Sequence, residues 1–509
     1  MVRYHELSKV NFFRSNWEVL LIILLHLLIT IPLAYILNTW YDESCSLMAS
    51  SGSISYTIQR SIEYEWQPPV YYVLLNLWRK LDNSYFFARL LSIIFSSASI
   101  FINYKFIKKY LKISRPGFVT FLIAINPFLV YYALEIRLYT MIIFLSGLLI
   151  FLMYEIYLFD NKSKAYRVLF ILLSVISLHI QYYMGYMLVA IGVSIFIYKG
   201  WNTFRIYLID MIFPLISLIG VIPFLEAISN QNKINEVFQL NIVAIIEFFK
   251  VRIVAYLFAL DFYSLIKFSR YEIWIFVFLI TAIFLFSIKD RFKEFIRIVN
   301  FKEYTTFPIV IVLLLFFILT LIKMGRGALE IRHSAALFLP LVFTATSLIC
   351  LTSKKKFLMF WFLLFSVLYI TTLVNRFTPM AKEGDAISIS RYLESHEKEN
   401  ELIFVPYKII AFPLAIHYKG KNSIVTLYDE LLTEEDQRKL LKKINSKSEY
   451  SWWDFPYPKP TWDNVPEELK LAAKKFINDN FTVIDKKYFN GMQLWYLKRK
   501  DNTTLKASF

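Results

Sequence analysis

Long apolar blocks broken by short basic segments run through the first three quarters of the chain. A helix rising 1.5 Å per residue needs roughly 20 apolar residues to cross a hydrocarbon core of about 30 Å. Segments that meet or approach this standard lie at approximately 17–38, 87–104, 116–134, 138–159, 167–182, 183–198, 206–228, 272–288, 305–323, 334–352 and 357–374. The pattern predicts a polytopic α-helical membrane protein with about 11 transmembrane helices. The two segments between Arg167 and Lys199 are short, and one long tilted helix is the other way to read them.

Three polar regions interrupt this pattern. The loop Thr39–Arg89 separates the first two spans; within it Ser55–Glu63 reads as an amphipathic helix, and the Pro68-Pro69 pair stops one helix and permits another. In Ser229–Tyr271 an amphipathic piece, Ile242–Leu260, is expected to lie along the membrane interface. From Arg376 onward the composition becomes that of a soluble domain. Strand-like runs at Glu401–Val405, Ser423–Leu427 and Met492–Leu497 alternate with helical periodicity at Ile387–Glu394, Glu434–Ile444 and Pro466–Asn478, which suggests a small α/β domain. The chain thus divides into a membrane domain, 1–375, whose first outer loop is 39–89, and a C-terminal domain, 376–509.

Composition agrees: 57% of the 509 residues are apolar and 19% charged, against about 45–50% and about 25% in soluble proteins. Two cysteines, Cys45 and Cys350, exclude a disulfide scaffold or a cysteine-type zinc site, and the six histidines show no metal-binding spacing. The net charge is +17, yet from Arg376 onward 22 Lys and Arg stand against 19 Asp and Glu. Most of the excess therefore sits between apolar spans, where it fixes orientation, and no nucleic-acid partner is expected. Placing the N-terminus in the cytoplasm puts the basic groups at Arg3–Arg14, Lys105–Arg115, Lys162–Arg167, Lys199–Arg205, Lys289–Lys302 and Lys354–Lys356 inside. That pattern requires the 167–198 block to be split in two, and it places the C-terminal domain outside a plasma or inner membrane. The first span, flanked by basic residues and lacking a small-residue cleavage site, is expected to be an uncleaved anchor.

Four groups of residues could carry chemistry, all on the expected outer face. Asp42 and Glu43 follow the first span, where water meets lipid; they suit a base acting on a lipid-linked substrate, or simply end the helix. Glu135 and Arg137, in Glu135-Ile136-Arg137-Leu138-Tyr139 after Asn126-Pro127-Phe128, are costly at membrane depth unless paired or facing water; a structural ion pair is the alternative. His179, in His179-Ile180-Gln181-Tyr182-Tyr183, is either a ligand-binding side chain or part of an interfacial aromatic belt. Arg326, Glu330, Arg332 and His333 precede the tenth span and suit a phosphate, or snorkel to the interface. In the tail, Trp452-Trp453-Asp454-Phe455-Pro456-Tyr457-Pro458 could stack on sugar or pack within the domain.

The order of Asp42-Glu43, Gln67-Pro68-Pro69-Val70-Tyr71-Tyr72, Asn126-Pro127-Phe128, Glu135 to Tyr139, the His179 turn and an arginine before a span containing Pro340 resembles the bacterial membrane glycosyltransferases of the GT-C fold. It is most similar to the dolichyl-phosphate-mannose-protein mannosyltransferase-like and aminoarabinose-transferase-like branch, over nearly the whole chain. The resemblance implies transfer of a sugar, hexosyl or pentosyl, from a polyprenyl-phosphate carrier to a glycan, lipid or protein acceptor at the outer face, usually with inversion. It maps the catalytic carboxylate to Asp42 and an assisting carboxylate to Glu135. Arg137, Arg332 and Arg326 would bind the donor phosphate, and Glu43, Gln67, Tyr71, Tyr139, His179, Tyr182 and His333 would line the substrate. Gln67 and Cys45 stand where relatives often carry a cation, so carrier binding leans on the three arginines. No cofactor is implied with certainty; Asp42, Glu43 and Glu135 could converge on a divalent cation. A transporter or flippase of lipid-linked sugars, and a non-catalytic scaffold, are the rival readings.

Overall fold

The computed structural model describes residues 2–500 except 222–247, 259–269, 325–329, 427–449, 457–474 and several shorter stretches. Its compact units are residues 1–34 with 49–376, and residues 35–48 with 377–509. In the first unit, Asn16–Ile36, Tyr85–Tyr110, Tyr139–Leu158, Met184–Ser217, Ile331–Cys350 and Phe357–Val374 are long and apolar enough to cross a membrane. The pair Pro116–Ala124 and Pro127–Ala133, bent by 52°, makes a seventh if taken as one span. The chain is a polytopic helical membrane protein with a C-terminal sheet domain.

The helices are α1 (Val2–Ile36), α2 (Tyr41–Ala49), α3 (Ile54–Glu63), α4 (Val70–Arg79), α5 (Tyr85–Tyr110), α6 (Pro116–Ala124), α7 (Pro127–Ala133), α8 (Tyr139–Met153), α9 (Lys164–Leu178) and α10 (Met184–Ser217). After these come α11 (Arg270–Ile288), α12 (Phe292–Val299), α13 (Phe307–Met324), α14 (Phe338–Thr352) and α15 (Lys355–Arg376). The described parts of the apolar segments read from the sequence are largely helical, with 116–134 on two helices and 206–228 described only as far as 221; among the described residues six or seven spans, not eleven, are long enough to cross. The 167–198 block is two helices, α9 and the first part of α10, parted at His179–Tyr183. Within α10 the direction breaks at Gly200, whose φ of +71° and ψ of −168° suit only glycine. Of the expected interfacial piece 242–260, the larger part lies outside the described residues.

Buried polar groups tie this unit together, as they must where water is excluded. His26 of α1 engages the carbonyl of Ala124 through Nδ1 at 2.8 Å and Ser96 Oγ through Nε2 at 2.9 Å. At the end of the bundle expected to face the cytoplasm, Glu155 pairs with Lys109 and Asp210 with Arg167, and Asp210 also accepts from the Tyr157 hydroxyl. In the outer loop the buried Asn76 of α4 donates to the carbonyls of Ser50 and Gly52 and to Thr57 of α3.

In the second unit α16 (Ala386–His396) and α17 (Lys408–His417) accompany a five-stranded sheet of order β2-β1-β3-β5-β4. The strands are β1 (Leu402–Val405), β2 (Ser423–Thr426), β3 (Tyr450–Pro456), β4 (Phe481–Phe489) and β5 (Met492–Arg499). β1 runs parallel to β2 and β3, while β5 is antiparallel to β3 and β4. Ile389, Leu393, Ile403, Val405, Leu414, Trp452 and Leu494 share one core. Residues 452–456 of the aromatic, proline-rich run weighed as a sugar-stacking surface belong to β3, with Trp452, Trp453 and Asp454 buried; 457 and 458 lie outside the described residues. The expected helix 434–444 and most of 466–478 lie outside the described residues.

Candidate functional site

In the first unit the site forms around the turn between α7 and α8. Asn126 caps α7, its side chain accepting from the Phe128 N–H at 2.9 Å, with Pro127 at the first helical position. Helix α7 ends after about two turns, and Leu134–Leu138 form a non-helical turn in which Glu135 and Ile136 are fully buried and Arg137 nearly so. The Glu135 carbonyl accepts from Ser92 Oγ of α5 at 2.5 Å. Arg137 forms an ion pair with Glu65, with Nη1 2.5 Å from Oε2 and both side chains less than a tenth exposed. Tyr72 of α4 donates to the same Glu65 oxygen at 2.9 Å and lies 3.4 Å from Arg137 Nη1. Burial pushes the Tyr72 phenol well above its ordinary pKa, so it stays a donor.

The other side chains expected to line the substrate are buried or half-buried. Tyr71 is buried edge-on to Tyr72, and Tyr139 is buried edge-on to Tyr132. Gln67 is half-buried in the turn that leads into α4. The His179 carbonyl accepts from the Val70 N–H at 3.3 Å, joining the α9–α10 turn to the start of α4, and its Nε2 lies 3.3 Å from Ser217 Oγ. Tyr182 is half-buried beside it. Arg332 pairs with Glu330 at 2.8 Å, and the His333 ring lies 6.3 Å from that of Tyr183. Arg326 lies outside the described residues.

In the second unit α1 stops at Ile36, and α2 begins afresh at Tyr41 after a non-helical link. Asp42 and Glu43 therefore occupy the first turn of a new helix, where its dipole favours a carboxylate. They point differently, as successive helical residues must: Asp42 is partly exposed, whereas Glu43 is fully buried and paired with Lys382 at 2.6 Å. Glu43, expected to line the substrate, is thus an interior side chain whose Oε2 is held by Lys382. Among the described residues no group of three or more His, Cys, Asp or Glu side chains could hold a metal ion.

No protein-family model matches the chain, and no curated protein sequence does. Among solved structures it is similar to ArnT from Cupriavidus metallidurans bound to undecaprenyl phosphate, at 12% identity and a TM-score of 0.44, covering 95% of this chain and 98% of that one. The apo state of the same protein gives 11% and 0.44 over the same shares. The oligosaccharyltransferase of Archaeoglobus fulgidus, tethered to an acceptor peptide, gives 10% and 0.43, covering 95% or more of this chain and 75% of that one. Both are membrane glycosyltransferases of the GT-C fold, the fold that the motifs resemble. Likeness at this level describes shape and assigns no activity.

Two buried cations of the first unit and two groups of the second were not singled out from sequence for what they do. Arg252 donates to Ser334 Oγ at 3.0 Å, beside Tyr256, whose hydroxyl meets Ser334 and whose carbonyl accepts from Asn126. Arg89 donates to the Ala34 carbonyl at 2.8 Å. Lys382 and His417 engage Glu43 and Thr39 from 339 and 378 positions further along the chain. For Arg252 the signal was an arginine inside an apolar amphipathic run; for Lys382 and His417 no local signal exists.

Proposed function

We propose that the protein is an integral-membrane glycosyltransferase that moves a sugar from a polyprenyl-phosphate donor to a hydroxyl acceptor at the extracytoplasmic face. The observation that carries this reading is the buried Arg137–Glu65–Tyr72 cluster, built into a helix-breaking turn at one end of the bundle within the motif that resembles the family. A buried arginine in such a turn suits a phosphate-bearing headgroup. Transporters instead tend to break helices near the middle of the membrane.

In this reading Asp42 takes the proton from the acceptor hydroxyl, the acceptor oxygen forms a bond to the sugar C1, and the C1–O bond to the carrier breaks. The electron pair leaves on the polyprenyl phosphate, whose charge Arg137 and Arg332 offset, with Arg326 assigned to the same task. Attack opposite the departing phosphate inverts C1. Glu135 assists as a second carboxylate, and His179, Tyr182, His333 and Gln67 contact sugar or carrier. The donor is a lipid, so no glycine-rich nucleotide loop is required.

The decisive comparison is between transfer and transport. Purified protein in detergent, where no gradient exists, is expected to convert polyprenyl-phosphate sugar into polyprenyl phosphate plus glycosylated acceptor. Movement of the lipid-linked sugar across liposomes without product would reverse the reading in favour of a flippase.

A further inference from the structure

The link between the first span and α2 is folded into the C-terminal domain. Leu37, Asn38 and Thr39 are buried there. Asn38 Oδ1 accepts from the Ile387 N–H at the start of α16 at 2.9 Å. Thr39 meets His417 Nε2, at the end of α17, through its backbone N–H at 3.3 Å and its hydroxyl at 3.0 Å. Tyr41 stacks on Phe412 of α17 with centroids 5.6 Å apart and rings 14° from parallel. Glu43 Oε2 accepts from Lys382 at 2.6 Å and from the Trp40 N–H at 3.4 Å. The Lys382 side chain is 2% exposed and the Glu43 side chain 0%.

These contacts fix both the axial position and the rotation of α2. His417 and Asn38 hold the residues just before it, and the Glu43–Lys382 pair pins one face of its first turn inward. Asp42, one residue earlier and about 100° round the helix, is thereby turned to the partly exposed side. A buried ion pair costs desolvation that good geometry only offsets; what it supplies is a unique orientation. We propose that Lys382 and His417 are positioning residues for Asp42, so that the C-terminal domain sets the aim of the base. This rests on Asp42 being that base. The domain then takes part in catalysis without donating a catalytic group.

The test uses the full-length protein in detergent. Cys45 lies one turn from Asp42 on α2, so its alkylation by N-ethylmaleimide, in a Cys350→Ala background, reports the seating of that helix without any substrate. Lys382→Met is expected to speed Cys45 alkylation about 10-fold or more, and the swap Glu43→Lys with Lys382→Glu to return it toward the parent rate. With lipid-linked donor extracted from the producing membranes, Lys382→Met and His417→Ala are expected to lower kcat by about 10-fold to 100-fold, the size of loss that an ångström of misplacement brings. Donor KM should stay within about 3-fold, since the carrier is held by other residues. His417→Gln, which keeps an acceptor, should recover most of the rate. If Lys382→Met does not survive purification, His417→Ala carries the comparison, because His417 is only half-buried. Parent-like alkylation and kcat in these variants, alongside an inactive Asp42→Asn, would overturn the positioning role and leave the enzyme reading standing. A fully active Asp42→Asn would overturn the enzyme mechanism itself, whatever the alkylation shows.

Discussion

Glu65 and Arg137 are the pair on which the membrane part of the site depends, and neither can lose its partner cheaply. Removing one member of a buried ion pair costs about 3–5 kcal/mol because the other charge is left desolvated. Glu65→Gln and Arg137→Gln are each expected to lower the thermal unfolding temperature markedly, while the double variant should be closer to the parent than the two losses added together; additive losses would show that the pair is not coupled. Asp454 makes a different prediction. Burial in the tail core raises its pKa from the ordinary carboxylate value to about 8, so the folded protein holds a proton that the unfolded chain releases. Its contribution is fully present below the unfolded value and is lost as pH rises through about 8. Hydrogen exchange of β3 should therefore quicken from pH 5 to pH 8 in the parent, after correction for intrinsic exchange, and much less in Asp454→Asn. That variant should keep turnover within a few-fold; a loss like that of Asp42→Asn would make Asp454 part of the chemistry.

Among the elements, the helices were legible because an apolar run of helical length is a local signal. The partners were not. Glu65, which pairs with Arg137, is 72 positions distant in the chain and is brought close by the docking of the segment that leads into α4. Strand β3 escaped for another reason: central in its sheet, it is buried on both faces, so Trp452-Trp453-Asp454 lacks the alternation that marks a half-exposed strand. The break at Ile36 was equally hidden, because the apolar run continues to Leu37 and the stop comes from contacts made by Asn38 and Thr39. At Gly200, where a Cβ would meet nothing within 4 Å, the backbone alone forbids a side chain. Gly200→Ala should cost on the order of 1–3 kcal/mol, read as a lower unfolding temperature with kcat unaltered; an unchanged melting curve would mean that the two halves of α10 need no such corner.

For the whole molecule, orientation and chemistry stand together. If the N-terminus is inside, as the basic loops lead us to propose, an added cysteine at the exposed Ser395 of α16 should react with an impermeant maleimide from outside, and one at Lys162 should not. The reverse pattern would put Asp42 on the wrong side of the membrane for a lipid-carried donor. The membrane architecture could be read from the sequence, and so could the family resemblance of the motifs. The joining of residues 35–48 to the C-terminal domain could not, since it links positions hundreds of residues apart. The most direct measurement is turnover of a polyprenyl-phosphate sugar by the purified full-length chain and by Asp42→Asn, which removes charge and basicity at nearly constant shape. The account predicts a folded variant that still binds the carrier and is slowed by about 10²-fold to 10⁴-fold or more; near-parental turnover by Asp42→Asn would contradict it.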